Sequence, residues 1–480
     1  MASYTAPKVK PRVIIHGGAG NIKRETMDAD QYQQYRRSLL SIITSTDVYM
    51  RAPKSKSDKC PLSGPEFPSA LEIATYAVVK LENEPLFNSG HGAVFTRDGI
   101  NELEASVMVS RGFAKRGVGV TGLRTVKNPI LLAKAMLEHG DRDLIGNADL
   151  GWAASEALEN DVRDTRLDVP SAQGHTLIHG ETAEALAKQY GLETVDPSYF
   201  FTQKRWDEHV RGLEKERQNK GNASWSAEEY IPLGTCGAVA LDEHGVVCVA
   251  TSTGGLTNKL TGRIGDTPSI GAGFWAEEWS EKGDPSANEG QLAANPWKSL
   301  TEYLGMPGPM VELSSALHAL LADCLPTPFI YNPMTPSETS RRGVRGTDVE
   351  VIRSTAVSGT GNGDSFLRVA AARSVASIAR WAGVSSSEAV SRIVGRGGEL
   401  EKSAGWRWGK TGEGEGGMIG IECAIARDKS GAVLYSRSEI LQDHNCAGMF
   451  RAWIRDDGLP EMKIWHEDKD QHSVLDKYAP

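Results

Sequence analysis

Several patterns that identify common protein classes are missing from this chain of 480 residues. No apolar run reaches the roughly 20 residues of a membrane span, and the N-terminus has no apolar stretch long enough for a signal peptide. The net charge is −9 and no stripe of Lys and Arg occurs, so neither nucleic acid nor membrane is an expected partner. None of the six cysteines forms a Cys-x-x-Cys pair, which indicates buried thiols in a reducing, cytoplasmic compartment.

Catalytic motifs of fixed spacing are also missing. The sequence contains neither His-Glu-x-x-His nor Gly-x-Ser-x-Gly, so it supports neither a zinc protease nor an α/β-hydrolase serine. The stretch GEGEGG at 412–417 matches Gly-x-Gly-x-x-Gly, but it precedes a predicted strand and does not join a strand to a helix. That context argues against dinucleotide binding, and no cofactor is expected for catalysis.

Predicted helices and strands do not alternate strictly along the chain, which favours a layered α+β arrangement. A first strand is predicted at 13–15, and two hairpins join 236–241 to 246–251 and 418–426 to 432–436. Helices are predicted at 32–43, 70–82, 129–139, 182–190, 312–324 and 365–381. Residues 212–234 are dense in charge and are interpreted as a mobile linker. Residues 275–350 are rich in Trp, Pro and Ser and are interpreted as an insertion.

The junction Gly234-Thr235 lies where this linker meets the first hairpin. The nitrogen of an internal threonine is an amide and cannot act as a base. A freed α-amine has a pKa of about 7.7–8.0, so it can accept the hydroxyl proton near neutral pH. Thr235 is therefore a candidate nucleophile if the preceding bond is cut, and otherwise a threonine that begins a strand.

Downstream residues offer partners for such a nucleophile. Thr253 follows the second strand of the hairpin and could return beside Thr235. Arg263 and Asp266, in the stretch GRIGD, suit the carboxylate and ammonium of an amino acid, although a surface ion pair is the alternative. The stretch SGTGNGDS at 358–365 precedes a helix and could bind a phosphate, or could provide an oxyanion hole from the Thr360 hydroxyl and the Gly361 N–H.

Taken together, these stretches resemble the plant-type asparaginase and isoaspartyl peptidase family of N-terminal nucleophile (Ntn) hydrolases. The resemblance rests on PLGTCGAVALDEHG, TSTGGLTNKLTGRIGDTPSIGAG and SGTGNGD, with VIIHGGAGNI, LENEPLFNSGHGAVFTRDGINELEASVM and KNPILLAKAMLE upstream. It covers most of residues 12–274 and 355–455.

The resemblance implies one domain, a four-layer αββα sandwich made as an inactive precursor. Cleavage before Thr235 would leave an α chain (1–234) and a β chain (235–480), which would associate into a dimer of αβ units. The mature threonine would hydrolyse asparagine or β-aspartyl dipeptides through a β-aspartyl-enzyme.

Site residues follow from the same resemblance. Thr253 resembles the family's second threonine, and Thr360 and Gly361 resemble its oxyanion hole. The resemblance implies substrate-binding positions at Arg263, Asp266, Gly363 and Asn88. The loop 81–91 resembles a sodium-binding loop with ligands, mostly backbone carbonyls, at Leu81, Glu82, Glu84, Phe87, Ser89 and His91.

Departures from the family pattern keep the substrate open. Glu104 stands where the family usually has Asp, Asn362 and Asp364 replace residues that are common there, and the 275–350 insertion is long. A taspase-like endopeptidase should lack Asp266, because a protein substrate has no free ammonium to hold. Glycosylasparaginase usually has Asp in place of Gly234. A non-catalytic binding protein of the same fold is the remaining alternative.

Overall fold

The structure is a computed structural model that describes residues 9–54, 66–113, 116–145, 169, 171–218, 234–281, 350–428 and 430–466. Its architecture is mixed α/β, which confirms the coarse prediction of helices combined with sheets. None of the described helices is both long and apolar enough to cross a membrane. The four cysteines in these ranges, Cys236, Cys248, Cys423 and Cys446, are buried and unbonded, as expected.

Two sheets make up the centre of the described part. The strands are β1 (Arg12–Gly20), β2 (Leu103–Val109), β3 (Gly117–Leu123), β4 (Leu177–His179), β5 (Cys236–Leu241), β6 (Val247–Thr253), β7 (Phe274–Ser280), β8 (Glu350–Gly361), β9 (Gly416–Arg427), β10 (Val433–His444), β11 (Gly448–Ile454) and β12 (Pro460–Lys463). The larger sheet has the order β12-β11-β1-β5-β6-β2-β3-β4, and the smaller has the order β10-β9-β8-β7. The strand that directly follows the candidate nucleophile, β5, thus lies in the middle of the larger sheet.

The helices are numbered in chain order. They are α1 (Ala29–Arg51), α2 (Ala70–Glu82), α3 (Pro129–Ile145), α4 (Gly180–Gln189), α5 (Gln203–Gln218), α6 (Gly363–Val369), α7 (Ala371–Trp381), α8 (Ser386–Val394) and α9 (Glu399–Ala404). Helix α2 has the predicted bounds because Ser69 and Glu72 form a reciprocal capping box at its start.

Strands β1, β5 and β6 are buried on both faces because their apolar runs alternate between two cores. Ile14 and Val239 point into a core shared with the smaller sheet, where they join residues such as Phe274 and Ile421. Their neighbours along the chain, such as Ile15, point to the opposite face and join the core with α1, α2 and α3. Burying one such aliphatic side chain contributes about 1.5–3 kcal/mol, so the two cores hold the sheet between them.

A third core lies on the outer face of the smaller sheet. Phe366 of α6, Val375 of α7 and Val390 of α8 pack there with Val357 and Met418 of the strands. The chain therefore runs directly from the buried strand β8 into the packed helix α6. This connection fixes Thr360 and Gly363 at that end of the sheet.

Several predicted boundaries were wrong. The predicted helix 365–381 is two helices, since Ala370 has a left-handed φ of 47°. The first free N–H groups of α7, at Ala372 and Arg373, donate to the carbonyls of Ala272 and Gly271, so a tertiary contact stabilises the break. Helix α1 extends beyond 32–43 at both ends, because Asp28 caps its start and Met50 is buried in its last turn.

Two predicted segments overlap regular structure. The linker was predicted from 212, but residues 212–218 belong to α5, and 219–233 lie outside the described residues. The insertion was predicted from 275, but residues 275–280 belong to β7, which pairs with β8. Residues 282–349, with the predicted helix 312–324, lie outside the described residues.

Candidate active site

Thr235 immediately precedes β5, and its side chain is buried. The register of β5 against β6 pairs Cys236 with Ser252, so Thr253 stands opposite Thr235 one position further along. The hydroxyl of Thr235 lies 3.0 Å from that of Thr267. Thr253 accepts instead from the backbone N–H of Gly255 at 3.0 Å. The structure thus brings three threonines together.

The Gly234 side of the junction is enclosed by backbone and by one hydroxyl. A Cβ atom on Gly234 would collide with the Thr360 hydroxyl and would lie 2.7 Å from the nitrogen of Ala19. Gly18, with a φ of +121°, approaches the Gly234 nitrogen so closely that a Cβ atom on it would lie 2.9 Å away. Only glycine tolerates both the approach and this φ.

Thr360 carries a buried hydroxyl that has no hydrogen-bond partner among the described residues. It stands near the end of β8, and Gly361 follows it as the last residue of that strand. Burying a hydroxyl without a hydrogen-bond partner costs free energy, unless a ligand or a reacting group bonds it for part of the time. Because this hydroxyl faces Gly234, it can donate to an oxygen that gains charge there.

The predicted substrate anchors converge around Gly363. A Cβ atom on Gly363 would collide with Oδ1 of Asp266 and would lie 3.2 Å from Nη2 of Arg263. Burial raises the pKa of Asp266 to about 7, although the positive charge of Arg263 opposes that shift. Its Oδ2 has no partner among the described residues. A buried acid with a vacant oxygen next to a guanidinium suits the ammonium and carboxylate of an amino acid.

Residues that depart from the family pattern occupy defined positions around these anchors. Glu104 is buried opposite Thr253, and its Oε1 accepts from Gly265 N at 3.2 Å, which ties the Arg263–Asp266 loop to β2. Asn362 caps α6 by accepting from Ser365 N at 3.0 Å. Asp364 pairs with Nη2 of Arg263 at 3.0 Å.

Asn88 is buried, and both polar atoms of its amide bond backbone groups near the end of β6 or in its own loop. Its Nδ2 donates to Gly255 O at 2.7 Å, and its Oδ1 accepts from Val94 N at 3.0 Å. The described contacts therefore make Asn88 a brace between its own loop and the residues after Thr253.

The loop 81–91 brings backbone carbonyls close to two of its glycines. A Cβ atom on Gly90 would collide with the carbonyl oxygen of Glu82, and one on Gly92 would collide with that of Phe87, which already accepts from Ser89 N at 3.0 Å. Carbonyl oxygens suit hard cations. Acidic side chains of the loop are engaged elsewhere: burial raises the pKa of Glu82 to about 7, and its carboxyl group bonds Asn128 and Ile130 N.

A second group of possible metal ligands, Asp443, His444 and His466, is less suitable. The two imidazole rings are stacked 3.8 Å apart at 5°, so their in-plane lone pairs run parallel and do not converge. The guanidinium of Arg451 lies 3.4 Å from Nδ1 of His444, and it lowers the affinity of this cluster for a cation.

Two residues near the junction were missed in the sequence analysis. Thr267 could have been noticed because it directly follows Asp266. His16 of β1 lies opposite Gly237 of β5, and its Nε2 is 2.7 Å from the hydroxyl of Ser358. Burial lowers the pKa of His16 to about 3, so this imidazole is neutral near pH 7. Only the glycine-rich stretch HGGAG signalled this position in the sequence.

Comparisons with known proteins identify the family. The family model described as Asparaginase matches residues 9–161 and 158–280, more than half of the chain. The isoaspartyl peptidase of Escherichia coli is 27% identical over 461 residues, which cover 96% of this chain and 98% of that protein. The isoaspartyl peptidase of Salmonella typhimurium is 32% identical over 321 residues, 66% of this chain and 85% of that protein. The plant-type L-asparaginase of Pyrococcus furiosus is 30% identical over 296 residues, 61% of this chain and 79% of that protein. The chain belongs to the family of plant-type asparaginases and isoaspartyl peptidases.

Proposed function

We propose that this chain is a self-processing threonine hydrolase that releases L-aspartate from L-asparagine, from β-aspartyl dipeptides, or from both. The observation that carries the proposal is the single cluster formed by the buried Thr235, the unpaired Thr360 hydroxyl and the Arg263–Asp266–Gly363 anchor. The names of the relatives, isoaspartyl peptidase and plant-type L-asparaginase, point to the same two substrates.

The first reaction is the cleavage of the chain itself. The Thr235 oxygen attacks the carbonyl carbon of Gly234, and the Thr360 hydroxyl, which faces Gly234, donates to the oxygen that becomes negative. The C–N bond breaks, the nitrogen takes up the hydroxyl proton, and an ester remains. Water then hydrolyses the ester, which leaves a carboxylate on Gly234 and a free amine on Thr235.

The second reaction uses that amine as the general base. It accepts the hydroxyl proton while the Thr235 oxygen attacks the side-chain carbonyl of the substrate. The proton passes to the leaving nitrogen, and ammonia or an amino acid departs. A water molecule, activated by the same amine, then attacks the β-aspartyl ester and releases aspartate.

Recognition of the substrate follows from the charges of the anchor. The guanidinium of Arg263 takes the α-carboxylate, and the Asp266 carboxylate takes the α-ammonium next to Gly363. Burial of Asp266 favours a small zwitterion over an internal peptide segment, which has no free ammonium. This selectivity supports an amino-acid or dipeptide substrate over the protein substrate of an endopeptidase.

Three further features belong to the same proposal. The two sheets with helices on their outer faces form a four-layer αββα sandwich, and residues 282–349 belong to a long insertion between β7 and β8. A structural sodium ion binds, mostly through backbone carbonyls, at Leu81, Glu82, Glu84, Phe87, Ser89 and His91. Two αβ units associate into a dimer, which light scattering of the purified protein will detect.

The test combines a denaturing gel with an assay of aspartate release. Purified protein should run as two fragments produced by cleavage between Gly234 and Thr235. The Thr235→Ala variant should stay full-length and inactive. Asparagine, a β-aspartyl dipeptide and a glycosylated asparagine are compared as substrates. An uncut protein with full activity would contradict the mechanism, and exclusive cleavage of the glycosylated substrate would reassign the enzyme to glycosylasparaginase.

A further inference from the structure

Helix α5 inserts a fully buried positive charge into the loop that follows α2. The side chain of Arg205 has no exposed surface, and its nearest acidic partner is Glu208, with Nη1 and Oε2 3.0 Å apart. Its Nε donates to the carbonyl of Gly92 at 2.8 Å, and its Nη2 donates to the carbonyl of Leu86 at 3.1 Å. One planar guanidinium therefore joins the two arms of this loop, in the geometry that arginine is suited to.

The loop leads from Arg205 to the candidate nucleophile through a short series of contacts. Asn88, between the two bonded carbonyls, donates to Gly255 O and accepts from Val94 N. Gly255 N in turn donates to the hydroxyl of Thr253, which stands opposite Thr235. A shift of the loop would move the oxygen of Thr253 relative to the nucleophile.

Helix α5 is also the last described element before the cleaved junction. Contacts apart from those of Arg205 also hold it in place: Nδ1 of His209 lies 2.5 Å from Oδ1 of Asn258, and Arg97 pairs with Glu216 at 2.6 Å. None of these residues lies in the 219–233 segment that leads to Gly234. The helix therefore has anchors that do not depend on whether the junction is intact.

We propose that Arg205 is a positioning residue, a built-in cation that fixes the 86–92 loop and, through Asn88, the Thr253 hydroxyl beside Thr235. The part that concerns turnover rests on the proposed function. The two carbonyls that the guanidinium bonds, those of Leu86 and Gly92, are not among the proposed sodium ligands. Loss of the guanidinium leaves two buried carbonyls without their charged donor, which loosens the loop.

Hydrogen exchange in the uncut Thr235→Ala protein tests the positioning directly and needs no activity. Arg205→Ala should speed exchange about tenfold or more at the amides of 92–94 and 254–255. Arg205→Lys keeps the charge but cannot span both carbonyls, so it should give an intermediate rate. Arg211→Ala removes an exposed arginine from the same helix and should change nothing.

The same substitutions in the cleavable protein supply a kinetic readout. Arg205→Lys should lower kcat with little change in KM, because the substrate anchors do not contact Arg205. The inference would be overturned if the exchange increase were confined to α5, or if Arg211→Ala gave an equal increase. It would also be overturned if Arg205→Lys kept both the exchange rates and the kcat of the parent protein. If Arg205→Ala does not fold, Arg205→Lys decides the question. If the exchange results hold but the parent protein neither cleaves itself nor releases aspartate, the proposed function fails and the loop assignment stands.

Discussion

The hydroxyl oxygens of Thr235 and Thr267 lie 3.0 Å apart, within hydrogen-bond distance. Strand β2 fixes the position of Thr267, because the Ser106 hydroxyl donates to the Thr267 carbonyl at 2.6 Å. Thr267 also follows Asp266, so the segment that carries the proposed ammonium anchor also orients the proposed nucleophile. A change in this segment should therefore affect substrate binding and self-cleavage together.

Thr267→Val should slow self-cleavage about tenfold, the effect of one lost hydrogen bond of ordinary strength. Valine keeps the shape of threonine but cannot orient the Thr235 hydroxyl. Thr267→Ser keeps the hydroxyl and should cleave at close to the parent rate. The conversion of full-length chain into two fragments is followed by gel densitometry, and equal rates for valine and threonine would show that the contact is irrelevant to processing.

Thr360→Val should lower kcat about 100-fold, because it removes a donor aimed at the developing oxyanion. The assay is normalised to the cleaved fraction, measured by mass spectrometry, since the same hydroxyl is proposed to assist self-cleavage. Thr355→Val is the matched control, because Thr355 is buried on the same strand away from the junction. Equal losses in the two variants would assign the effect to packing of β8.

Asp266 should make stability depend on pH. Its pKa rises from 3.8 to about 7 on folding, so the native state favours the protonated carboxyl. The stabilisation is fully present below about pH 4 and is lost as the pH rises through 7, with a total of up to about 4 kcal/mol. In the Thr235→Ala background, Tm should fall between pH 5 and pH 8.

The control for this pH effect is the double variant Thr235→Ala, Asp266→Asn, which places a neutral amide of similar shape at the same position. Its Tm should fall less than that of Thr235→Ala over the same range. If Tm fell equally with pH in the two proteins, a group other than Asp266 would be the one that titrates.

Asp364→Asn should lower KM by up to about fivefold, because it removes a carboxylate that pairs with Arg263, the proposed anchor of the substrate carboxylate. The expected change is small, since the Asp364 side chain is 56% exposed and such pairs are weak. Asp364→Glu keeps the charge and should leave KM near the parent value. A rise of KM in Asp364→Asn would show instead that Asp364 holds Arg263 in its binding position.

Local sequence patterns were sufficient for the elements on which the site is built. The local helix pattern predicted 70–82 correctly, and the apolar alternation after Thr235 predicted β5 and β6. The signals were strong because they depend on residues within one turn or one strand. Helix 365–381 failed because its break at Ala370 depends on carbonyls of Gly271 and Ala272, which are far away in the chain.

The order of residues along the chain is enough to name Thr235, Arg263, Asp266 and Thr360 as candidates, because each stands in a distinctive stretch of glycine and polar residues. Folding adds the relationships that no short stretch contains: the contact of Thr235 with Thr267, the burial that raises the pKa of Asp266, and the guanidinium of Arg205 inside a loop more than a hundred residues upstream. These depend on the stacking of two sheets and on the docking of α5. Burial and long-range hydrogen bonds exist only after the chain has closed around them, and they decide which of the candidate residues can act together.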